Sequence, residues 1–167
     1  MLQQLTGHIT NEQLEGIVNI IISQYAKYNS LLNSDKFKSV FSNEYAPHNR
    51  QFSISWAIAS GFPSNSDVCD GMNISCYKYS RNFTRPLLWN HNTHIMVLNK
   101  TTHFSADYLN EFYKMNENSQ ELFCYIKFSV DNKRLTRISI CVPDIHGTVV
   151  AEEVLLDKSQ ISLRIAA

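Results

Sequence analysis

The chain lacks the bulk features that would declare a metal, a membrane or a polyanion as its partner. Its four cysteines, Cys69, Cys76, Cys124 and Cys141, form no C-x-x-C pair, and three of them lie in apolar, strand-like runs. That pattern argues against a structural zinc site and for reduced, buried thiols. Five glycines and four prolines in 167 residues exclude a collagenous or low-complexity chain. The 15 basic and 15 acidic side chains cancel, so neither a basic nucleic-acid coat nor an acidic DNA mimic is written into the total. No apolar run approaches the roughly 18 residues of a membrane span. The opening MLQQLTGHIT has neither the basic start nor the apolar stretch of a signal peptide. A cytoplasmic protein with no membrane association is the expectation.

What is present is an ordinary globular composition, 44% apolar and 18% charged, at a length that fits one domain over 1–167 with a sizeable core. Asparagine, about one residue in ten, reads as the codon usage of an AT-rich genome and not as chemistry. No repeat, linker or low-complexity tract marks a boundary.

Along the chain, Thr10 and Gln13 have capping-box spacing, and Leu14, Ile17, Val18, Ile21, Ile22 and Tyr25 then recur at helical intervals. This predicts a helix over 10–28. Leu31, Leu32, Phe37, Val40 and Phe41 suggest a second, shorter helix ending before Pro47. From Gln51 the period changes to two, with Phe52, Ile54, Trp56 and Ile58 opposite Ser53, Ser55, Ala57 and Ala59, which predicts a strand. A loop follows, then a strand over 72–80, an extended or turned Arg85-Pro86, and a doubly apolar central strand over 94–98. Ser105, Asp107, Tyr108, Leu109, Phe112 and Met115 predict a helix over 106–116. Strands over 121–130, 135–142 and 148–155, joined by polar turns, complete an antiparallel meander, with the last ten residues packed on its edge. The fold class expected is α+β: a mainly antiparallel sheet of about six strands, two N-terminal helices and one inserted helix.

The unusual chemistry is concentrated in RNFTRPLLWNHNTHIMVLNKTTHF, residues 81–104. Lys100, Thr101, Thr102 and His103 join a buried strand to a helix start, where backbone N–H groups and the positive dipole end suit an anion. The stretch has no P-loop glycines. Arg81 and Arg85, four residues apart on an extended backbone, share a side and can close on the same phosphate or carboxylate. Tyr77, Tyr79, Phe83 and Trp89 nearby offer stacking surfaces for a base. The competing readings are a solvated helix-capping loop, surface arginines paired to carboxylates, and core aromatics.

Two H-x-T triplets, His91-Asn92-Thr93 and His146-Gly147-Thr148, fit the bare pattern of two-histidine phosphoesterases, but neither has apolar strand flanks. His91, His94 and His103 have no carboxylate near them in sequence to complete a metal site. Glu121 and Lys127 share a predicted strand, yet the E-x-K spacing and the aspartate of a metal-dependent nuclease are missing, and Glu152-Glu153 reads as an exposed edge. No metal, cofactor or catalytic set is therefore expected.

The segments RNFTRP, HIMVLNKTTHF and LFCYIKF, in this order over about residues 50–155, resemble a small uncharacterised family of low-GC Gram-positive bacteria and their prophages. The resemblance implies a bacterial or phage setting and transfers no catalytic role. The functional expectation is a non-enzymatic binding domain for an anionic ligand, a nucleotide or nucleic-acid phosphate, held by Arg81, Arg85, Lys100, Thr101, Thr102 and His103. The alternatives are a phosphoester-acting enzyme using His91, His94 or His103, and a phage or host accessory protein that works through a protein interface.

Overall fold

The computed structural model describes residues 9–33, 46–61, 72–80, 83–99, 106–115, 121–131 and 134–166. Within them the chain runs α1 (Asn11–Asn33), α2 (Ala46–Gly61), β1 (Asn73–Ser80), β2 (Phe83–Asn90), β3 (Thr93–Asn99), α3 (Ala106–Met115), β4 (Leu122–Asp131), β5 (Arg134–Pro143), β6 (Val149–Leu156) and α4 (Lys158–Ala166). The fold is α+β: four helices and an open six-stranded sheet in the order β1-β2-β3-β4-β5-β6. Every neighbouring pair is antiparallel except β3 and β4, which run parallel with α3 as their crossover.

Helix α1 starts where its capping box predicts. The Gln13 N–H donates to Thr10 Oγ1 at 3.1 Å, and the Thr10 N–H donates to Gln13 Oε1 at 3.0 Å. Two otherwise unpaired donors of the first turn are thereby satisfied. The helix continues through Leu31 and Leu32 to Asn33, so the start of the expected second helix belongs to the first. The remainder of that expectation, 34–45, lies outside the described residues.

The strand expected from Gln51 is instead the body of α2. Alternation and helical spacing both accommodate Ile54 and Ile58, and burial separates them: Ile54 and Ile58 are buried, whereas Phe52 and Trp56 are 68% and 65% exposed. Gln51 supplies the helical signature, because its Nε2 reaches Ser55 Oγ four residues on at 3.2 Å and also donates to the Val97 carbonyl at 2.9 Å. This amide ties α2 to the central strand. Pro47, in the first turn, lacks only a hydrogen that a helix start does not use.

The sixth strand comes from Phe83–Asn90, where the sequence suggested only an extended or turned segment. The β2–β3 ladder runs from Leu87 opposite Met96 to Asn90 opposite Thr93. It stops short of Pro86, which has no N–H to donate. The C-terminal residues form α4 and not a simple edge cover. Asp157 Oδ1 accepts from the Ser159 and Gln160 N–H groups at 2.9 and 3.1 Å, and Gln160 Oε1 accepts from the Asp157 N–H at 3.0 Å. The Ser159 hydroxyl and these backbone bonds hold the Asp157 carboxyl below its ordinary range.

Two cores sandwich the sheet. On one face α1, α2 and α4 bring Ile17, Ile21, Tyr25, Ile54, Ile58 and Ile161 onto Ile95, Val97, Ile126, Phe128 and Ile140. On the other, α3 brings Tyr108, Leu109 and Phe112 onto Leu87, Met96, Leu98, Phe123 and Tyr125. Strand alternation sends odd and even positions of β4 to the two cores. No helix among the described residues is long and apolar enough to cross a membrane.

Candidate anion-binding site

Of the residues expected to bind an anion, Arg81, Lys100, Thr101, Thr102 and His103 lie outside the described residues. Arg85 is placed by its backbone, in β2 opposite Tyr77 of β1. Because β2 runs antiparallel to β3 with Leu87 opposite Met96, position 85 lies toward the carboxyl end of β3. Asn99 ends β3 and Ala106 begins α3, so the Lys100–His103 stretch connects that same end to the first turn of the helix.

The described side chains add a polar cluster nearby. Lys127 stands opposite Leu98 in the parallel β3–β4 ladder and opposite Ser139 in the β4–β5 ladder. By alternation it shares the α3 side of the sheet with Tyr125, but α3 packs nearer the β2–β4 part, leaving Lys127 partly exposed. Its Nζ bonds Glu152 Oε2 at 2.8 Å, while Arg137 Nη2 reaches Glu152 Oε1 at 3.0 Å. Arg137 Nε also donates to the buried Ser139 hydroxyl at 3.0 Å. Desolvation pushes the Glu152 carboxyl upward, and hydrogen bonds from Lys127 and Ser139 with the charges of Lys127 and Arg137 outweigh it, leaving it below the ordinary range. Tyr125 and Cys141 form the floor. Burial, with Cys141 and Glu152 alongside, pushes the phenol up to about 12; burial also raises the Cys141 thiol, against the opposing charge of Lys127. Cys124, facing the other core, is pushed to about 12 by burial and the neighbouring Cys141. These are protonated, unreactive thiols.

No sequence motif groups Lys127, Arg137, Ser139 and Glu152. The i, i+2 spacing of Arg137 and Ser139 was available, but Glu152 reaches them only through the β5–β6 register, in which it pairs with Cys141.

The histidines are placed differently. His91 occupies the two-residue β2–β3 turn at a φ of 50°, and His146 lies in a turn closed by Asp144 Oδ1, which accepts the His146 and Thr148 N–H groups at 2.9 and 2.8 Å. Both H-x-T triplets are thus turn-borne. The parallel register places Thr93 beside Leu122, and Glu121 consequently reaches His94 Nε2. The sequence offered no carboxylate near this histidine; the crossover supplies one. Its ring lies between Trp89, stacked at 6.2 Å, and Phe112, edge-on at 5.0 Å. Nδ1 is buried and has no hydrogen-bond partner among the described residues. With one nitrogen bound to Glu121 and the other enclosed, His94 clamps the starts of β3 and β4 and offers no open nitrogen to a substrate. Among the described residues, no three His, Cys, Asp or Glu side chains group as a metal site.

The clamp makes a checkable claim on stability. Its side chains are only 16% and 18% exposed, so Glu121→Ala is expected to lower unfolding free energy by about 1–3 kcal/mol, the cost of orphaning a buried polar group. In a denaturation double-mutant cycle with His94→Ala the coupling should exceed about 0.5 kcal/mol. Additive effects would show that the contact is not made. No family model, curated protein or solved structure matches this chain.

Proposed function

We propose that the protein is a non-enzymatic binding domain for an anionic ligand of the phosphate class, a nucleotide or a nucleic-acid phosphate. The observation that carries the reading is the convergence of Lys127, Arg137 and Ser139 on a single carboxylate, that of Glu152. The cluster lies toward the carboxyl ends of β3 and β4, the one parallel strand pair among the described residues. A carboxylate held by two cations and a hydroxyl has the donor set that a phosphate oxygen needs. Ligands of α/β units collect outside the carboxyl ends of parallel strands, beside helix starts. Arg81, Arg85, Lys100, Thr101, Thr102 and His103 belong to segments that connect to or flank this end, and the proposal assigns them the remainder of the ligand's charge. Glu152 acts in it as an internal placeholder that keeps the cations ordered and weakens the hold on any incoming anion.

The test is a thermal-shift and titration series with phosphate, nucleotides and short oligonucleotides. A ligand at a hundred times its Kd stabilises by about 2.7 kcal/mol, or roughly 5–10 °C at this size. Lys127→Ala and Arg137→Ala should each weaken binding about tenfold, the worth of one charge-assisted bond. Glu152→Gln should tighten it, and added salt should weaken it. Unchanged melting across the whole panel sinks the reading. The protein-interface alternative draws on Phe52 and Trp56, exposed and stacked at 6.4 Å on α2. It makes no use of Lys127 or Arg137, so the same two variants separate it from the anion reading.

A further inference from the structure

Away from these cations, on the side of the sheet covered by α1 and α4, lies a cleft of about 200 Å³ lined by Asn11, Leu14, Glu15, Val18, Leu155, Leu156 and Arg164. Its floor depends on an irregularity. The β5–β6 ladder pairs Ser139 with Val154 and Ile138 with Leu156, skipping Leu155. The extra residue lets two successive leucines contribute to the same core, where simple alternation would send one of them to the opposite face. Leu14 and Val18, one helical turn apart on α1, close the apolar side. Above them Arg164 Nη2 donates to Glu15 Oε1 at 2.9 Å and Nη1 donates to Asn19 Oδ1 at 2.8 Å.

We propose that this cleft binds an aliphatic α-amino acid. The volume is below the roughly 300–1,000 Å³ of pockets for drug-sized molecules, which limits the occupant to something of single-residue size. Four apolar side chains on the floor suit a branched aliphatic tail. The charges at the rim come as a mutually neutralising pair, so a ligand bearing one charge upsets that balance, whereas a zwitterion sets one charge of each sign against the pair and keeps it. Neither residue must give up its present partner. A guanidinium has five N–H donors, and among the described residues Arg164 uses two, in the bonds to Glu15 and Asn19, which leaves three for a carboxylate. Glu15 engages through Oε1, so its second oxygen accepts the ammonium group.

The experiment is calorimetric titration of the full chain with L-leucine, alongside 4-methylpentanoate and 3-methylbutylamine, which keep the tail and carry one charge each. Leucine is expected to bind at least about tenfold more tightly than either, one charge-assisted bond being worth that factor. Arg164→Gln and Glu15→Gln, checked for folding by circular dichroism, should each lose a similar factor for leucine and leave phosphate binding unchanged. In the wild-type protein, methyl NMR signals of Leu14, Val18, Leu155 and Leu156 should shift with leucine. This arm stands even if a variant fails to fold. No heat and no methyl shift with leucine at tens of millimolar overturns the proposal, as does equal binding of leucine and the two single-charge analogues.

Discussion

Ile58→Asp is expected to unfold the domain or leave it barely stable, whereas Phe52→Ser should shift the denaturation midpoint little. Both positions carry large apolar residues on the same parity of a segment that alternates over 51–59, and a strand would treat them as equivalents. Helix α2 does not. Ile58 has no exposed surface and packs in the core with Ile17, Ile21 and Val97, while Phe52 is 68% exposed. A carboxylate forced into this apolar cluster has no cation to pair with among the described core residues, a cost of several kcal/mol against a total stability of roughly 5–15 kcal/mol. At Phe52 the loss is an exposed ring contact with Trp56, about 0.5 kcal/mol in the usual range for surface changes. Urea denaturation followed by far-ultraviolet circular dichroism reads both. Equal destabilisation at the two sites would restore the strand assignment and remove α2 from the fold.

That contrast also indicates which parts of the molecule could be read from sequence. Helix α1, helix α3 and the β4–β6 meander follow from signals internal to each segment: a reciprocal capping pair, a one-sided apolar stripe, and alternation broken by polar turns. Segment 46–61 fails because small residues and apolar residues alternate within it, so helical and extended periods fit equally well. What distinguishes them is Gln51 reaching Ser55 and Val97, and the burial of Ile54 and Ile58 against exposed Phe52 and Trp56. Helix α4 was legible in principle from Asp157 and Gln160, a capping pair of the same kind as Thr10 and Gln13. The site is harder. Lys127 and Glu152 are 25 residues apart in sequence, as His94 and Glu121 are 27 apart. Each pair meets through ladder register, and register depends on how every intervening strand docks. The parallel pairing of β3 with β4 has no local signature either, and it is what brings Glu121 to His94 and Lys127 to Leu98.

The aromatic at position 123 connects that parallel pairing to binding, and Phe123→Ala is expected to cost about 3–5 kcal/mol, the range for a fully buried phenylalanine. Phe123 has no exposed surface; its ring meets Tyr108 at 5.5 Å and Phe112 at 5.4 Å, the latter also touching His94. Helix α3 has ten residues, fewer than the roughly 12–15 an isolated helix needs to be stable in water. Its order therefore derives from this aromatic seat and from Leu109 on Leu87, Met96 and Leu98. Among the described residues it is the only helix on its face of the sheet. Loss of the seat should raise hydrogen exchange in α3 well before α1, whose apolar face packs in the other core. Phe128→Ala is the matching control: same strand, comparable cost, opposite core. It should weaken the α1 side and leave α3 protected. Under the anion-binding proposal the two variants also differ in function, because the first turn of α3 receives the chain that carries Lys100 to His103. Phe123→Ala should then lower phosphate affinity with every cation intact, and Phe128→Ala should not at temperatures where both remain folded. Uniform loss of protection in both variants would mean that the two cores unfold as one unit and that α3 has no separate seat to lose.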